Sequence, residues 1–489
     1  MKKNIIYTLT GAAILLCASL TACKKILDIQ PQSQIIESVY FKNEGDFDPF
    51  VIGNYTNIRI LANNITFGTE RSEELINGIN ARLTTAWSQV LTVSTGSINY
   101  NVSTLPIYKA IGSANLLLAK IEPFAFPNTA TKNRLKAESL CQRAYCYFYL
   151  AHIIGDAPIL LDPITDDNVP QLPRSKAADV MKQVFADLDA AIALFPDKTY
   201  PNKYRFSYGA AQAMKAEAKL WSAKVTGGGA ADFNDALTAA QAVETTGVSL
   251  LPAFANVTTT RANAEVIMSA YFNRDESGAT SNYALNALPF LPSISGATNL
   301  DSIPYTLTST NGQSAYQISP LSRSLWSGLT GDKRIPATFI IERQGTTQKN
   351  AWITKLPGNK YTDDRISDND VIMYRLADVY LMEAEAYAGI NNTAQAINYI
   401  NKVRTRAGIA NYAGATDKAT VERAVFDERG REMFFENKRW YDVVRFHYGG
   451  TINAYNYVPN LKGKTTPLFW PLSPTVLAAN SALTQTTGY

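Results

Sequence analysis

One run of the chain, from Asp427 to Arg439, carries several charged side chains of both signs. Two carboxylates that face each other across a sugar can hydrolyse a glycosidic bond, so this run could serve a glycoside hydrolase. On a helix, however, side chains three or four residues apart form ion pairs, and Glu428 with Arg431 and Glu432 with Arg429 have that spacing. We therefore interpret these charges as structural ion pairs and predict that the protein is not an enzyme and has no catalytic residues.

Residues that bind metals or phosphate are scarce. The histidines are only His152 and His447, which are too few for a histidine-rich zinc site. Gly463-Lys464-Thr465 has the ending of a phosphate-binding loop, but Val458 stands where that motif needs its first glycine. We predict no metal and no cofactor.

Four aspartates, Asp363, Asp364, Asp368 and Asp370, form an acidic loop that could hold calcium. The loop lacks the residue order and the glycine of an EF-hand. We interpret it instead as a solvated turn that caps a helix beginning at Val371.

Aromatic side chains in predicted loops are the candidates for ligand binding. A flat ring that covers about 80 Å² of a sugar at ~25 cal/mol/Å² contributes roughly 2 kcal/mol. A long polar insertion, residues 62–103, carries Trp87, and Arg82 lies five residues before it as a donor to hydroxyl groups. The insertion also contains Glu70, Arg71, Asn99, Tyr100 and Asn101. The ligand-binding candidates that we predict are Trp87, Arg82, Tyr283, Tyr305 and Trp326.

Other aromatic residues have positions typical of a core. Arg143, Tyr145, Tyr147 and Tyr149 share one predicted helix and point in different directions, so packing explains them better than a ligand patch. We also assign Trp352, Trp440 and Trp470 to the core. Cys141 and Cys146 lie roughly 140° apart around the same helix, so we interpret both as buried thiols.

The amino end has the pattern of a bacterial lipoprotein signal. Lys2 and Lys3 precede an apolar stretch, and Leu20-Thr21-Ala22 leads into Cys23. The pattern predicts that residues 1–22 are removed and that Cys23 is acylated. The formal net charge of +4 falls to +2 without Lys2 and Lys3, and the charges are dispersed, so no nucleic-acid partner is predicted.

Helical periodicity recurs along most of the chain. It predicts helices within residues 43–60, with Asn43 as the N-cap, and within 108–121, 132–154, 176–194, 208–224, 232–243, 371–388 and 393–407. They form four imperfect, tetratricopeptide-like pairs, with alanines where backbones approach closely. Residues 250–360 are rich in Pro, Gly, Ser and Thr and predict an irregular, loop-rich lobe with a short strand at 266–271. A single charged helix is expected from Val425 to Arg445.

Several motifs follow one another in a fixed order. They are Leu27-Asp28-Ile29-Gln30-Pro31 after Cys23, Arg143 to Leu150 leading to Gly155-Asp156-Ala157-Pro158, Arg375 to Leu381, Asn401 to Gly408, Glu428 to Glu432 with Phe435-Glu436 and Arg439-Trp440, and the closing Asn480 to Tyr489. Together they resemble the SusD/RagB family of Bacteroidetes over essentially the whole mature chain.

The resemblance implies a mostly α-helical fold in which four tetratricopeptide-like units support a second, irregular lobe that presents the ligand surface. It also implies a lipid-anchored position on the surface of the outer membrane, above a SusC-like, TonB-dependent transporter. Some members of the family handle peptides. The motifs are structural, so they transfer no ligand-binding residue to this chain.

The leading hypothesis is a surface lipoprotein that binds oligosaccharide or polysaccharide and passes it to such a transporter. Peptide capture is the first alternative, followed by a surface glycoside hydrolase and a structural adaptor. The sequence divides into a signal peptide (1–22), an amino-terminal region with three helix pairs (23–249), and a carboxyl-terminal region with the irregular lobe and the fourth pair (250–489).

Overall fold

The structure is a computed structural model that describes residues 40–84, 86–91, 102–164, 169–276 and 281–489. Helices dominate these residues because apolar side chains and alanines recur there at three- and four-residue spacing. The long helices are α1 (Phe47–Ala62), α2 (Leu105–Ile121), α3 (Thr129–Ile153), α4 (Ala177–Leu194), α5 (Tyr208–Trp221), α6 (Gly229–Glu244), α7 (Leu376–Gly389), α8 (Thr393–Ala407), α9 (Lys418–Glu432) and α10 (Arg439–Tyr448). Shorter helical turns are Glu44–Asp46, Thr66–Glu70, Ser222–Thr226, Asn256–Thr259, Tyr283–Asn286, Leu291–Ile294, Leu300–Ser302, Pro320–Ser324, Ile335–Thr338, Ala454–Tyr457, Pro459–Leu461 and Pro474–Ala479.

The chain divides into two compact units, Met1–Phe47 and Asp48–Tyr489. In the described part of the first unit, the Asn43 side chain accepts a hydrogen bond from the Gly45 amide at 2.9 Å. The Asp46 carboxylate accepts one from the Asn43 amide at 2.9 Å. This reciprocal cap satisfies two amide groups of the first turn, and it confirms Asn43 as the predicted N-cap.

Four helix pairs form the scaffold of the second unit. The Asn54 side chain on α1 donates to the Ala110 carbonyl on α2 at 3.1 Å, and Arg143 on α3 forms an ion pair with Asp187 on α4 at 2.6 Å. Helix α5 packs against α6, and α7 packs against α8. Small buried side chains allow α5 to approach its neighbours closely, and they are Ala210, Ala211, Ala213, Ala216 and Ala218. The predicted mostly α-helical fold with four helix pairs is confirmed.

Elements from the two predicted sequence regions pack together. Helix α6, which precedes residue 250, lies against α7, which follows it. Strand β1 (Leu75–Asn77) pairs with β3 (Tyr316–Ile318), so the polar insertion is joined to the irregular region. The predicted boundary between two regions at residue 249 therefore stays a prediction.

The strands are short and antiparallel. Besides β1 and β3, they are β2 (Val266–Ala270) with β8 (Val371–Arg375), β4 (Phe339–Gln344) with β5 (Thr347–Ile353), and β6 (Asn359–Lys360) with β7 (Arg365–Ile366). The predicted strand at 266–271 is confirmed. The prediction of a helix beginning at Val371 is wrong, because residues 371–375 are fully buried and pair with β2 before α7 begins at Leu376.

The expected single charged helix from Val425 to Arg445 is also wrong, because α9 ends at Glu432 and α10 begins at Arg439. Between them, Phe435 and Asn437 adopt positive φ angles of 58° and 59°, which no regular helix contains. A Cβ on Gly68 would lie 2.1 Å from the Asn437 carbonyl oxygen, so glycine is required where the polar insertion meets this break.

The acidic loop is solvated only at Asp363, which is 62% exposed and pairs with Arg274 at 2.9 Å, whereas the other three aspartates are buried. Asp364 accepts hydrogen bonds from the Leu307 amide at 2.6 Å and from the Asn311 side chain at 2.9 Å. Asp368 is fully buried and accepts from Tyr361, while Asp370 forms an ion pair with Arg261 at 2.6 Å. These carboxylates hold neighbouring loops together, so their oxygens are occupied by protein donors.

The residues assigned to the core are buried as predicted, except that Tyr145 is half-buried. Trp352, Trp440 and Trp470 are inaccessible to solvent. Tyr147 and Tyr149 are buried on α3, and Cys141 and Cys146 are buried free thiols.

Candidate functional site

Trp87 lies on the polar insertion, where its indole ring is half-buried. The indole Nε1 donates to the Leu75 carbonyl at 2.8 Å, and the Trp87 carbonyl accepts from the Asn460 side chain at 2.9 Å. One edge of the ring is therefore fixed by a hydrogen bond while part of its surface faces solvent. Such a ring can stack on a sugar without first losing rotamer freedom.

The segment that carries Trp87 is held by buried polar contacts beneath it. The Glu70 carboxylate accepts from the Thr84 amide at 2.8 Å and from the Thr84 hydroxyl at 2.9 Å. The Asn77 side chain, at the end of β1, accepts from the Leu83 amide at 3.0 Å. Burial raises the pKa of Glu70, although the bonds from Thr84 oppose this increase. The insertion is thus an ordered platform in spite of its polar sequence.

Arg82 is exposed on the same segment and makes no hydrogen bond or ion pair with the described residues. Its positive charge opposes the increase in the pKa of Tyr316 that burial and Glu70 cause. The structure thus places Arg82 on the platform that carries Trp87, as a free donor at the surface.

Two side chains of the carboxyl-terminal tail contact this platform. Asn460 donates to the Trp87 carbonyl, and the Lys464 ammonium donates to the carbonyl of Ser88. The sequence motif around Lys464 suggested only a defective phosphate loop. No pattern in the neighbouring sequence predicts this contact, because Lys464 and Ser88 are 376 residues apart along the chain.

The other candidates do not gather at Trp87. Tyr283 is only 5% exposed, and its hydroxyl donates to the Phe435 carbonyl at 2.8 Å. Trp326 is also 5% exposed and lies between Phe339 and Phe434, with ring centroids at 5.7 Å and 6.4 Å. Both rings belong to the core, which corrects the expectation that they face a ligand. Tyr283 begins one short helical turn and Trp326 closely follows another, and apolar neighbours cover both rings.

Tyr305 is half-buried and packs against the cluster of Ile294, Ile303 and Trp352. It stays a predicted candidate for ligand contact. Within the insertion, Glu70 and Arg71 are buried, so neither is a surface contact. Arg71 lies over the rings of Trp440 and Trp470, at 4.2 Å and 5.2 Å from their centroids. Asn99, Tyr100 and Asn101 lie outside the described residues.

The carboxylates considered for acid–base chemistry belong to a buried charge cluster, which we define as Arg334, Lys355, Arg375 and Arg406 with Glu265, Glu428, Glu432 and Glu436. The predicted pair of Glu428 with Arg431 is confirmed at 2.7 Å. Glu432 does not bind Arg429. It binds Arg375 at 2.6 Å, whereas Arg429 binds Asp378 and Asp442, both at 2.9 Å. This face of α9 points into the protein, so its charges find partners on other elements.

Glu74 lies near this cluster and is expected to make stability depend on pH. It is buried and accepts from the Phe435 amide at 3.2 Å, and burial together with the negative charge of Glu73 raises its pKa to about 8. A folded-state pKa above the unfolded value of 4.5 contributes stability that is complete below pH 4.5 and is lost as the pH rises through 8.

We therefore expect Glu74→Gln to raise the melting temperature relative to the unsubstituted protein, by a margin that widens as the pH rises from 5 to 9. Thermal unfolding of both proteins across that range measures the margin. Glu276→Gln, at a partly exposed position, is the matched control and should leave the margin close to zero. A margin for Glu74→Gln that is independent of pH would contradict the burial of an uncharged Glu74.

Two models of known protein families match the sequence of this chain. Residues 335–489 match the model of the SusD family, and residues 25–220 match the model described as starch-binding associating with outer membrane. The chain belongs to the SusD/RagB family.

Similar proteins include the SusD-like protein P25 of Formosa agariphila, which is 25% identical over 88% of each chain. The solved structure of NanU from B. fragilis has a TM-score of 0.79 and 28% identity, and the match covers 94% of this chain and all of that one. A laminarin-binding SusD-like protein has a TM-score of 0.72 and 20% identity over 92% of this chain, and this likeness shows the fold. No helix among the described residues is long and apolar enough to cross a membrane.

Proposed function

We propose that this SusD/RagB protein binds oligosaccharide or polysaccharide at the cell surface without cleaving it, and passes it to a SusC-like, TonB-dependent transporter. Trp87 carries the proposal, because its edge is fixed by Leu75 while part of its ring faces solvent. Arg82 adds exposed donors on the same platform. The family description of starch binding supports a glycan as the ligand, and so does the laminarin-binding neighbour.

Isothermal titration with a panel of probes tests the proposal. The panel consists of laminarin, amylopectin, a uronic-acid polysaccharide and a protein-derived peptide mixture. We expect at least one glycan to bind, with an affinity that depends on Trp87, and the same glycan to remain intact after prolonged incubation. Binding of peptides alone would favour the peptide-capture alternative. Product release that one carboxylate substitution abolishes would favour a hydrolase.

Attachment to the outer membrane through Cys23 is the second part of the proposal. Cys23 lies outside the described residues, so the support is the lipobox in the sequence and the outer-membrane association of the family. Several acyl chains anchor a protein durably, whereas the signal stretch alone is too short to span a bilayer.

We expect Cys23→Ala to remain unprocessed or to be released from membranes. Fractionation of cells that express the variant, beside Cys17→Ala as the matched control, measures this. Normal removal of residues 1–22 from Cys23→Ala, together with membrane partition that equals that of the control and requires detergent for release, would remove the lipid anchor from the proposal.

A further inference from the structure

A groove of about 600 Å³ opens near the carboxyl end of the chain. Tyr448 at the end of α10, Tyr455 on the turn Ala454–Tyr457, and Phe469 in the tail line it together with His447. Its volume lies within the range of roughly 300–1,000 Å³ typical of small-ligand sites. We call it the C-terminal groove.

The aromatic rings of the C-terminal groove are close enough to form a continuous surface. Tyr448 is 48% exposed, and its centroid lies 6.1 Å from that of Phe469, with the ring planes inclined at 39°. The His447 ring lies 5.5 Å from Tyr448 and 5.9 Å from Tyr455. Tyr448 therefore presents a ring to solvent in a groove whose base is aromatic, and an apolar ligand face would cover it favourably.

Two polar groups at the exposed Tyr448 ring, its own hydroxyl and Nε2 of His447, are available to bind a ligand. His447 Nδ1 accepts from the Ala454 amide at 3.3 Å, so a neutral His447 ring carries its hydrogen on Nε2. Neither that Nε2 nor the Tyr448 hydroxyl makes a hydrogen bond with the described residues. These groups can bond to the hydroxyls of a ligand that stacks on Tyr448.

The charges around the C-terminal groove are already paired or hydrogen-bonded. Asp156 forms an ion pair with Lys176 at 3.1 Å. The Arg174 guanidinium donates to carbonyls of Ile154 and Asp156 at 2.7 Å and 2.8 Å, and to the Thr486 hydroxyl at 3.2 Å. These contacts engage the charged groups, so the polar groups that the described residues leave free for a ligand include the Tyr448 hydroxyl and His447 Nε2, which suit the hydroxyls of a sugar.

The walls of the C-terminal groove are held in place before any ligand arrives. The Tyr455 hydroxyl donates to the Thr466 carbonyl at 3.0 Å, and the Tyr489 hydroxyl donates to the Phe469 carbonyl at 3.2 Å. The Thr466 hydroxyl in turn donates to the Gln89 carbonyl at 2.8 Å. Residues 464–469 thus connect the groove to the platform that carries Trp87.

We propose that the C-terminal groove is a second saccharide-binding site, which holds a neutral pyranose ring against Tyr448. It does not use the Trp87 surface, so its existence is separate from that of the site proposed above. Because one tail segment borders both, a long glycan that occupies the two sites gains affinity by being tethered at each.

Saturation-transfer NMR on the mature chain carrying Trp87→Ala tests the C-terminal groove by itself. The probes are the methyl glycosides of glucose, galactose, mannose, xylose and N-acetylglucosamine. We expect at least one glycoside to receive magnetisation from this protein, and Tyr448→Ala to weaken its binding about tenfold by removing the stacked ring. Tyr448→Phe keeps the ring and should retain most of the binding. Tyr412→Ala, at a half-buried tyrosine elsewhere, is the matched control.

Melting curves confirm that each variant is folded before its binding is compared. Failure of every glycoside to give a signal that depends on Tyr448 would overturn the second site, even if polysaccharides bind at Trp87. If Tyr448→Ala binds every glycoside normally but no longer binds a membrane-protein partner, the groove is a docking surface and the proposal is wrong. Loss of all glycan binding in Trp87→Ala, with Tyr448→Ala unaffected, would leave the first site as proposed and exclude the second.

Discussion

Replacing Arg375 by Met should lower the free energy of unfolding by about 3–5 kcal/mol, the effect typical of breaking a buried ion pair from one side. The Arg375 guanidinium is inaccessible to solvent and donates to Glu265 at 2.8 Å, to Glu432 at 2.6 Å and to Glu436 at 2.8 Å. Without it, these carboxylates would remain in the interior with one cation fewer. Urea unfolding followed by circular dichroism measures the loss.

The pH dependence of the free energy of unfolding is a second measurement that tests the prediction for Arg375→Met. Burial alone would raise the pKa of Glu436, but the charges of Arg375 and Lys355 hold it below its usual value. The stability that this lowered pKa contributes is present at neutral pH and is lost as the pH falls. In the variant, Glu436 keeps only Lys355 as its cationic partner, so its pKa rises in the direction that burial favours and its protonation becomes easier. We expect the difference between the two proteins to shrink between pH 7 and pH 5.

Two further variants separate the charge from the loss of packing. Arg375→Met/Glu436→Gln removes one uncompensated carboxylate and should recover part of the stability. Arg423→Met removes a surface partner of Asp427, where the arginine side chain is 46% exposed, and should change stability by less than about 1 kcal/mol. A similar small loss for Arg375→Met would show that the buried charge cluster contributes little to the fold.

Replacing Trp87 by Ala should weaken binding of the tightest glycan of the panel about thirtyfold, which corresponds to ~2 kcal/mol of stacking. Because the ring is half-buried, the substitution should also lower the free energy of unfolding by about 1 kcal/mol, as the Leu75 carbonyl loses its donor. Calorimetric titration beside a melting curve measures both effects.

Matched variants decide what the Trp87 ring does. Trp87→Phe keeps a flat face but lacks Nε1, so it should retain most of the affinity while losing the bond to Leu75. Trp326→Ala removes a core ring and should lower stability by about 3–5 kcal/mol with unchanged affinity for glycan. Unchanged affinity in Trp87→Ala would exclude Trp87 from the site. A loss of stability as large as that of Trp326→Ala would show that Trp87 serves packing.

The candidate site could be predicted from the sequence only in part. Trp87 and Arg82 were recognisable because both lie in a polar insertion without helical periodicity, and the structure leaves them at least partly exposed. Tyr283 and Trp326 follow the same local rule but are buried, since burial depends on which surface a loop covers. Tyr448 and Tyr455 had no local signal at all, because their groove forms only where the tail returns to α10.

Features that depend on neighbours within a few turns of chain could be predicted from the amino-acid sequence. These are the helix pairs, the Asn43 cap, the burial of Trp352, Trp440 and Trp470, and the family motifs, since side-chain period and capping chemistry act over three to four residues. The strand at residues 371–375 and the interior position of the charges of α9 depend instead on long-range packing. Arg375 meets Glu265 across 110 residues of sequence. The packing of distant elements determines which residues form such ion pairs, because a buried charge is stable only beside a counterion that the fold places next to it.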